Sequence, residues 1–228
     1  MDTQNTFEEG KLVLIDKPLR WTSFDVVRKI RNLVRIKKVG HAGTLDPLAT
    51  GLLIICTGKF TKKINEYMAQ EKEYTGTFTL GAVTASYDLE QEPVDFKPFE
   101  HLTESEIISA TRPLTGDILQ IPPAHSAIQI NGKRVYELAR QGKEVVIEPR
   151  KVNVKEFEIT KIELPQVHFR IVCSTGTYIR SLAHDFGKLL GCGAYLSSLC
   201  RTRIGDFKVE DAMSMEAFEQ KVKQGLER

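Results

Sequence analysis

The stretch Gly40-His41-Ala42-Gly43-Thr44-Leu45-Asp46-Pro47-Leu48-Ala49-Thr50-Gly51 decides how this chain is read. It holds three glycines, one proline, two threonine hydroxyls, one histidine and one carboxylate. Glycine lets a backbone take positive φ or lie close to a ligand. Pro47 fixes its own φ and biases Asp46 toward an extended conformation. Asp46 is therefore the lone acid in a stiff, kinked loop. Apolar runs flank it: Val26, Val27, Ile30, Leu33 and Val34 before, Leu52 to Cys56 after. A rigid loop on packed elements is where an enzyme holds a catalytic carboxylate. The same residues also read as a structural turn with Asp46 as its cap.

Working outward, Lys11 to Ile15 is a short apolar strand stopped by Asp16-Lys17-Pro18. Thr22 to Arg35 has an apolar stripe at helical spacing, and Thr22 with Asp25 offers a capping box. Gly51 to Thr57 reads as a buried strand and Lys59 to Met68 as a short helix. Lys72 to Leu80 alternates, as a half-buried strand does. Thr103 to Arg112 is a helix beyond an acidic surface excursion. Strands follow at Ile118 to Pro123 and Ser126 to Ile130, with Asn131-Gly132 a strong turn signal. Val135 to Arg140 is a short helix, and Val145 to Ile147, Val152 to Ile162 and Gln166 to Ser174 are strands. Thr177 to Leu190 is a helix ended by Gly191-Cys192-Gly193. Tyr195 to Arg203 and Phe207 to Val209 are strands, and Met215 to Gln224 is a terminal helix. Many strands, interspersed helices and no βαβ rhythm argue for an α+β fold with a mixed or antiparallel sheet.

The chain has 228 residues, 41% hydrophobic and 27% charged, as soluble globular proteins do. No apolar run approaches the roughly 18 residues of a membrane-crossing helix, so no membrane partner is expected. Met1 to Gly10 is polar and acidic, which does not fit a signal peptide and reads as a disordered leader. Cys56, Cys173, Cys192 and Cys200 form no C-x-x-C pair and show no zinc-ligand spacing, so no metal is expected and a reducing cytoplasm suits the chain. Net charge is +2, but Asp88 to Glu106 carries −6, leaving +8 for the rest. Basic clusters at Arg35-Lys37-Lys38, Lys59-Lys62-Lys63, Lys133-Arg134, Arg150-Lys151 and Arg201-Arg203 suit a polyanionic partner, although most such clusters are solvated faces. Arg180 falls in the first turn of its helix, where a cation opposes the helix dipole. Such a residue serves an ion pair or a phosphate, or else it is an exposed arginine pairing with Asp185 or Glu137. Tyr74, at a strand start, could stack on a base or simply pack in the core.

Gly40 to Gly51 resembles the catalytic motif of the TruB family of tRNA pseudouridine synthases. Lys17-Pro18-x-x-Trp21-Thr22-Ser23 resembles the family's N-terminal motif, and Lys72-Glu73-Tyr74 with Leu80-Gly81 its tyrosine motif. Ile121-Pro122-Pro123-x-x-Ser126-Ala127 and Asn131-Gly132-Lys133-Arg134-x-Tyr136-x-Leu138-Ala139-Arg140 resemble its next block. Cys173-Ser174-x-Gly176-Thr177-Tyr178-Ile179-Arg180-Ser181-Leu182 resembles its arginine motif. Gly191-Cys192-Gly193-Ala194-x-Leu196-x-x-Leu199-x-Arg201-x-x-x-Gly205 resembles its closing block. Six blocks in matching order, from about Gly10 to about Phe218, are a far more specific signal than one loop.

The resemblance implies the pseudouridine synthase fold, a central mixed and mainly antiparallel sheet flanked by helices, over residues 11–228. It implies conversion of uridine to pseudouridine at position 55 in the T-loop of tRNA, in the cytoplasm, with no cofactor and no metal. By the same resemblance Asp46, Tyr74 and Arg180 are the catalytic residues, Arg180 pairing with Asp46 and Tyr74 stacking on the target base. His41, Leu199, Lys17, Gly43 and Thr44 are substrate-binding, His41 filling the space the flipped base leaves. A monomer with no obligate protein partner is expected, gripping the T-arm through Lys59, Lys62, Lys63, Lys133, Arg150 and Arg201. Two departures stand out. Thr84-Ala85-Ser86-Tyr87-Asp88 lacks the first acid of the family's Thr-Asp-Thr-x-Asp, and no C-terminal domain of PUA type is expected in a chain of this length. Without the resemblance, an RNA-binding folding helper and a hydrolase using Asp46 remain as rival readings, the latter lacking a second carboxylate at a recognisable spacing.

Overall fold

A computed structural model describes residues 3–124, 129–130, 133–134 and 147–226. The chain divides into two compact units, one of residues 1–75 and 199–228, the other of residues 76–198.

The first unit is built around β3 (Ala49–Thr57), buried at eight of its nine positions, which makes it the central strand here. β1 (Leu12–Lys17) runs antiparallel to it from Leu12↔Cys56 to Lys17↔Gly51, and β2 (Val39–His41) is also antiparallel. The end of β10 (Ala194–Ile204) lies parallel to β3, with Leu199↔Ala49 and Arg201↔Gly51, and the short β11 (Phe207–Lys208) turns back on β10. Alternation sorts the side chains of β1 and β3. Val13, Ile15, Leu53 and Ile55 pack against α2 (Ser23–Val34) and α6 (Met215–Leu226), while Leu52, Ile54 and Cys56 face Ile204, Phe60 and Ile64. Helix α2 begins where the capping box places it: Thr22 Oγ1 accepts from Asp25 N and Asp25 Oδ2 accepts from Thr22 N, both at 3.0 Å. The expected helix at Lys59 to Met68 splits into a 3₁₀ segment (Gly58–Lys63) and α3 (Ile64–Ala69). The leader read as disordered differs most. Thr3–Glu9 forms α1, because Phe7 is buried edge-on against Phe218 and its carbonyl accepts from Thr57 Oγ1 at 2.9 Å.

The second unit orders its strands β10-β4-β9-β8-β5, with β4 (Lys72–Leu80), β9 (Gln166–Cys173), β8 (Arg150–Glu163) and β5 (Gly116–Gln120). Both β4 and β10 contribute residues to each unit. The β8·β9 and β5·β8 pairings are antiparallel. With β3·β10 parallel, the sheet is mixed and mainly antiparallel, and the class is α+β. Phe78, Phe157, Phe169 and Phe186 form the core of this unit, with ring centroids from 4.3 to 6.4 Å apart. Phe186 comes from α5 (Ile179–Leu189). A capped helix α4 (Glu104–Ser109) follows the acidic excursion. Short strands β6 (Gln129–Ile130) and β7 (Lys133–Arg134) pair antiparallel on either side of the expected turn. Asn131-Gly132 itself, the helix at Val135 to Arg140 and most of the neighbouring strand segments lie outside the described residues.

Candidate active site

The Asp46 loop joins β2 to β3, and hydrogen bonds within the first unit hold its bends. Leu45 donates its N–H to Ser23 Oγ at 2.9 Å, and Ser23 Oγ donates back to Leu45 O at 3.2 Å. Asp46 O accepts from Ala49 N at 3.0 Å, closing the turn across Pro47. Pro47 O accepts from Arg20 N at 2.7 Å. Gly43 takes φ +95°, which a side chain rarely adopts, and Arg201 Nη2 donates to its carbonyl at 3.0 Å. Asp46 is half-buried at the turn of this braced loop.

Two cations lie under this loop. Lys17, expected to bind substrate, is 0% exposed. Its ammonium donates to Trp21 O at 2.6 Å and Pro18 O at 3.1 Å, and reaches Pro47 O at 3.5 Å. It braces the loop from inside. Burial pulls its pKa down to about 8; Arg201 adds to that, while Asp46 and Asp16 oppose it. Arg201, expected on a basic RNA-facing surface, is 1% exposed. Its Nε donates to Leu52 O at 2.8 Å, and its register partner Gly51 takes φ +99° against it. A guanidinium committed to two carbonyls inside the unit cannot grip a phosphate.

His41 ends β2 beside the same arginine. Burial lowers its pKa, and the Arg201 charge lowers it further, against a backbone hydrogen bond at Gly43. Its imidazole is held neutral. Tyr74 and Leu199 are buried on β4 and β10. Thr202 Oγ1 donates to Glu73 Oε1 at 2.8 Å, which puts those two side chains on one face of the sheet. Strand alternation then puts Tyr74, Leu199 and Arg201 together on the opposite face. Asp46, His41, Gly43, Thr44, Lys17, Tyr74 and Leu199 therefore all belong to the first unit.

Arg180 belongs to the second. It is 4% exposed in the first turn of α5. Its Nη1 donates to Ser86 O at 3.3 Å, and its Nε stands 3.7 Å from Asp88 Oδ2. Asp88, itself buried, accepts from Glu90 N at 3.0 Å, and its carbonyl takes Thr84 Oγ1 at 2.7 Å and Ser86 Oγ at 3.1 Å. The start of α5 is clamped by Gln120, which accepts from Tyr178 N at 2.8 Å and donates to Tyr178 O at 3.0 Å. A cation against the helix dipole is thus matched by a carboxylate built into the 84–90 loop.

Sequence comparison decides the family. The TruB family pseudouridylate synthase N-terminal domain matches residues 31–179, and the tRNA pseudouridylate synthase B C-terminal domain matches residues 180–227. The chain belongs to the TruB family. It is 53% identical over 225 residues to the tRNA pseudouridine synthase B of Flavobacterium johnsoniae, covering 96% of this chain and 98% of that one. It is 52% identical over 215 residues to that of Chlorobaculum tepidum, covering 92% and 90%. Among solved structures it is similar to a chain of a Cbf5-Nop10-Gar1 complex, with TM-score 0.74 and 31% identity, over 96% of this chain and 56% of that one. The protein is an enzyme of the tRNA pseudouridine synthase family, an isomerase that modifies tRNA.

In this TruB chain the missing family acid is explained by position. Ala85 is exposed, whereas Asp88 is the buried acid beside Arg180. Sequence reading did not single out Ser23, Asp88 or Gln120, nor the burial of Lys17 and Arg201. Two of these left a trace: Ser23 directly follows the cap, and Asp88 survives from the Thr-x-Ser-x-Asp run.

Proposed function

We propose that this enzyme acts at position 55 in the T-loop of tRNA, with Asp46 as its catalytic carboxylate. The observation that carries the reading is the bracing of the Asp46 loop by Ser23, Lys17 and Arg201, which fixes one carboxylate in a family whose reaction is uridine isomerisation. A uridine paired inside a folded T-loop must be extruded before a buried-edge carboxylate can reach it. In the reaction the C1′–N1 bond breaks, uracil turns, C1′ bonds to C5, the C5 proton leaves and N1 gains one. The ionised Asp46 acts on the extruded nucleotide. Tyr74 stacks on the base and takes part in removing the C5 proton. Neutral His41 occupies the space left in the loop, Leu199 lines the base pocket, and Gly43 and Thr44 contact the nucleotide. Arg180, its direction fixed by Ser86 O and Asp88, is the third catalytic residue of this reading, matching the arginine of the family motif. The enzyme works as a cytoplasmic monomer and uses no cofactor.

The test is tritium release from tRNA labelled at uridine C5, with the modified position mapped. Asp46→Asn should abolish release while leaving tRNA affinity within a few-fold. Turnover above about a tenth of the wild-type rate, a loss of only about 1.4 kcal/mol, rules Asp46 out as the essential group.

A further inference from the structure

The β1–α2 connection contains a residue in the wrong conformation for its type. Arg20 takes φ +69°. That left-handed region costs any residue with a Cβ energy and suits glycine, asparagine or aspartate. Strain of this kind is kept where it serves a site. Arg20's place is informative: its N–H donates to Pro47 O at 2.7 Å, so the residue is fastened directly to the loop that carries Asp46.

The backbone explains the turn but not the arginine. Glycine would give the same N–H and the same turn without strain. The Arg20 side chain is exposed, and among the described residues it makes no hydrogen bond or ion pair. By contrast Arg28, on the helix that follows, pairs with Asp25 at 2.8 Å, and the two cations under the loop, Lys17 and Arg201, are buried on carbonyls. Arg20 is thus an outward-facing cation on the connection fastened to the Asp46 loop. Two apolar residues near it in sequence are unusually bare, Leu19 on the connection at 53% exposed and Phe24 in the first turn of α2 at 58%. A free guanidinium between exposed apolar groups suits a nucleotide, which offers a phosphate for the fork and a ribose or base face for the flanks.

We infer that Arg20 is an RNA-binding residue of this enzyme, contacting a backbone phosphate of the substrate beside the nucleotide on which Asp46 acts. The inference rests on the reading of the T-arm as substrate. The contact is made in ground state and transition state alike, so it acts on KM and leaves kcat nearly unchanged.

Arg20→Gly is the decisive variant, because it removes the side chain while relieving the positive φ, so the fold is preserved or stabilised. Binding of a T-arm RNA and turnover of whole tRNA are measured together from 50 to 300 mM salt. The expected result is a Kd and KM raised about five- to tenfold at 100 mM salt, kcat within about twofold, and a Tm no lower than wild type. The plot of log K against log salt should flatten by about 0.7 to 0.9, the share of one phosphate. Arg20→Lys should keep that slope. Unchanged affinity and slope in Arg20→Gly overturn the inference, as does a fall in kcat at unchanged KM, which would mean Arg20 acts through the loop. Failure of the T-arm reading shows separately, as wild-type protein that binds the RNA without forming pseudouridine in the T-loop; the salt slope still decides the role of Arg20.

Discussion

At the residue scale the chemistry rests on charges placed where burial should forbid them. Lys17 is the clearest case, a fully buried ammonium whose hydrogens are spent on loop carbonyls. Its pKa in the folded protein is about 8 against 10.5 for the free side chain. The folded chain therefore releases this proton before the unfolded chain does. Below pH 8 both states hold it and the burial penalty stands in full. As pH rises from 8 toward 10.5, the unfolded state binds the extra proton, and linkage makes the native state gain stability. The gain from pH 7.5 to 9.5 is about 2 kcal/mol. Cys56 works the other way: burial raises its thiol to about 11, so its contribution is lost as pH rises above the usual thiol range. Comparing wild type with Lys17→Met cancels that contribution. Urea unfolding at the two pH values should show wild type gaining on the variant by this amount. Parallel pH dependence in the two proteins would mean Lys17 is neutral throughout, or is charged at no cost.

At the element scale, the pairing of β3 with β10 is what turns a glycine-rich loop into a fixed one. A Cβ on Gly51 would stand 2.4 Å from Arg201 O and 2.7 Å from Arg201 N, both backbone atoms that cannot step aside, and its φ is +99°. Gly116 offers the control, since its φ is +90° but nothing lies within 4 Å of an added Cβ. Gly116→Ala should cost about 1 to 2 kcal/mol, the conformational penalty alone. Gly51→Ala should cost at least about 3 kcal/mol, because overpacking of the parallel register adds to it, and it should lower activity by displacing Arg201 from Gly43. Equal losses of Tm in the two variants would show that the close approach at Gly51 does not constrain the loop. Most elements were legible in the sequence because their signals are local. The Thr22–Asp25 box marks the start of α2, and the alternation at Lys72 to Leu80 marks β4 to the residue. Helix α1 was not legible: six of its seven residues are polar, and its stability comes from Phe7 meeting Phe218 across the whole length of the chain. The same holds in the site. Asp46 stands out in sequence because glycine and proline frame it. The burial of Arg201 depends on which strand lies beside β10, and no local pattern reports that.

At the scale of the whole molecule, charge is divided unequally. By sequence, the unit carrying the Asp46 loop bears +4 and the other −2, because the acidic run from Asp88 to Glu106 falls in the second. An RNA substrate is thereby drawn toward the unit that holds the carboxylate. The basic residues expected to do this are not equivalent. Lys59 and Lys62 project from the 3₁₀ segment after β3 and are exposed, and Arg150 is exposed at the start of β8. Arg201 is shut away on Leu52 O and Gly43 O. Exposed cations that meet phosphates release counterions, at about 0.7 to 0.9 in the log–log salt slope for each phosphate. Replacing Lys59 and Lys62 together with glutamine should therefore flatten the salt dependence of tRNA binding by about 1.4 to 1.8 while leaving Tm nearly unchanged. Arg201→Gln should do the reverse. Its loss strips two carbonyls of a buried donor, so Tm should fall and activity with it, while the salt slope of the remaining folded protein stays at the wild-type value. An Arg201 variant whose slope falls by a phosphate's share at unchanged Tm would put this arginine on the RNA after all.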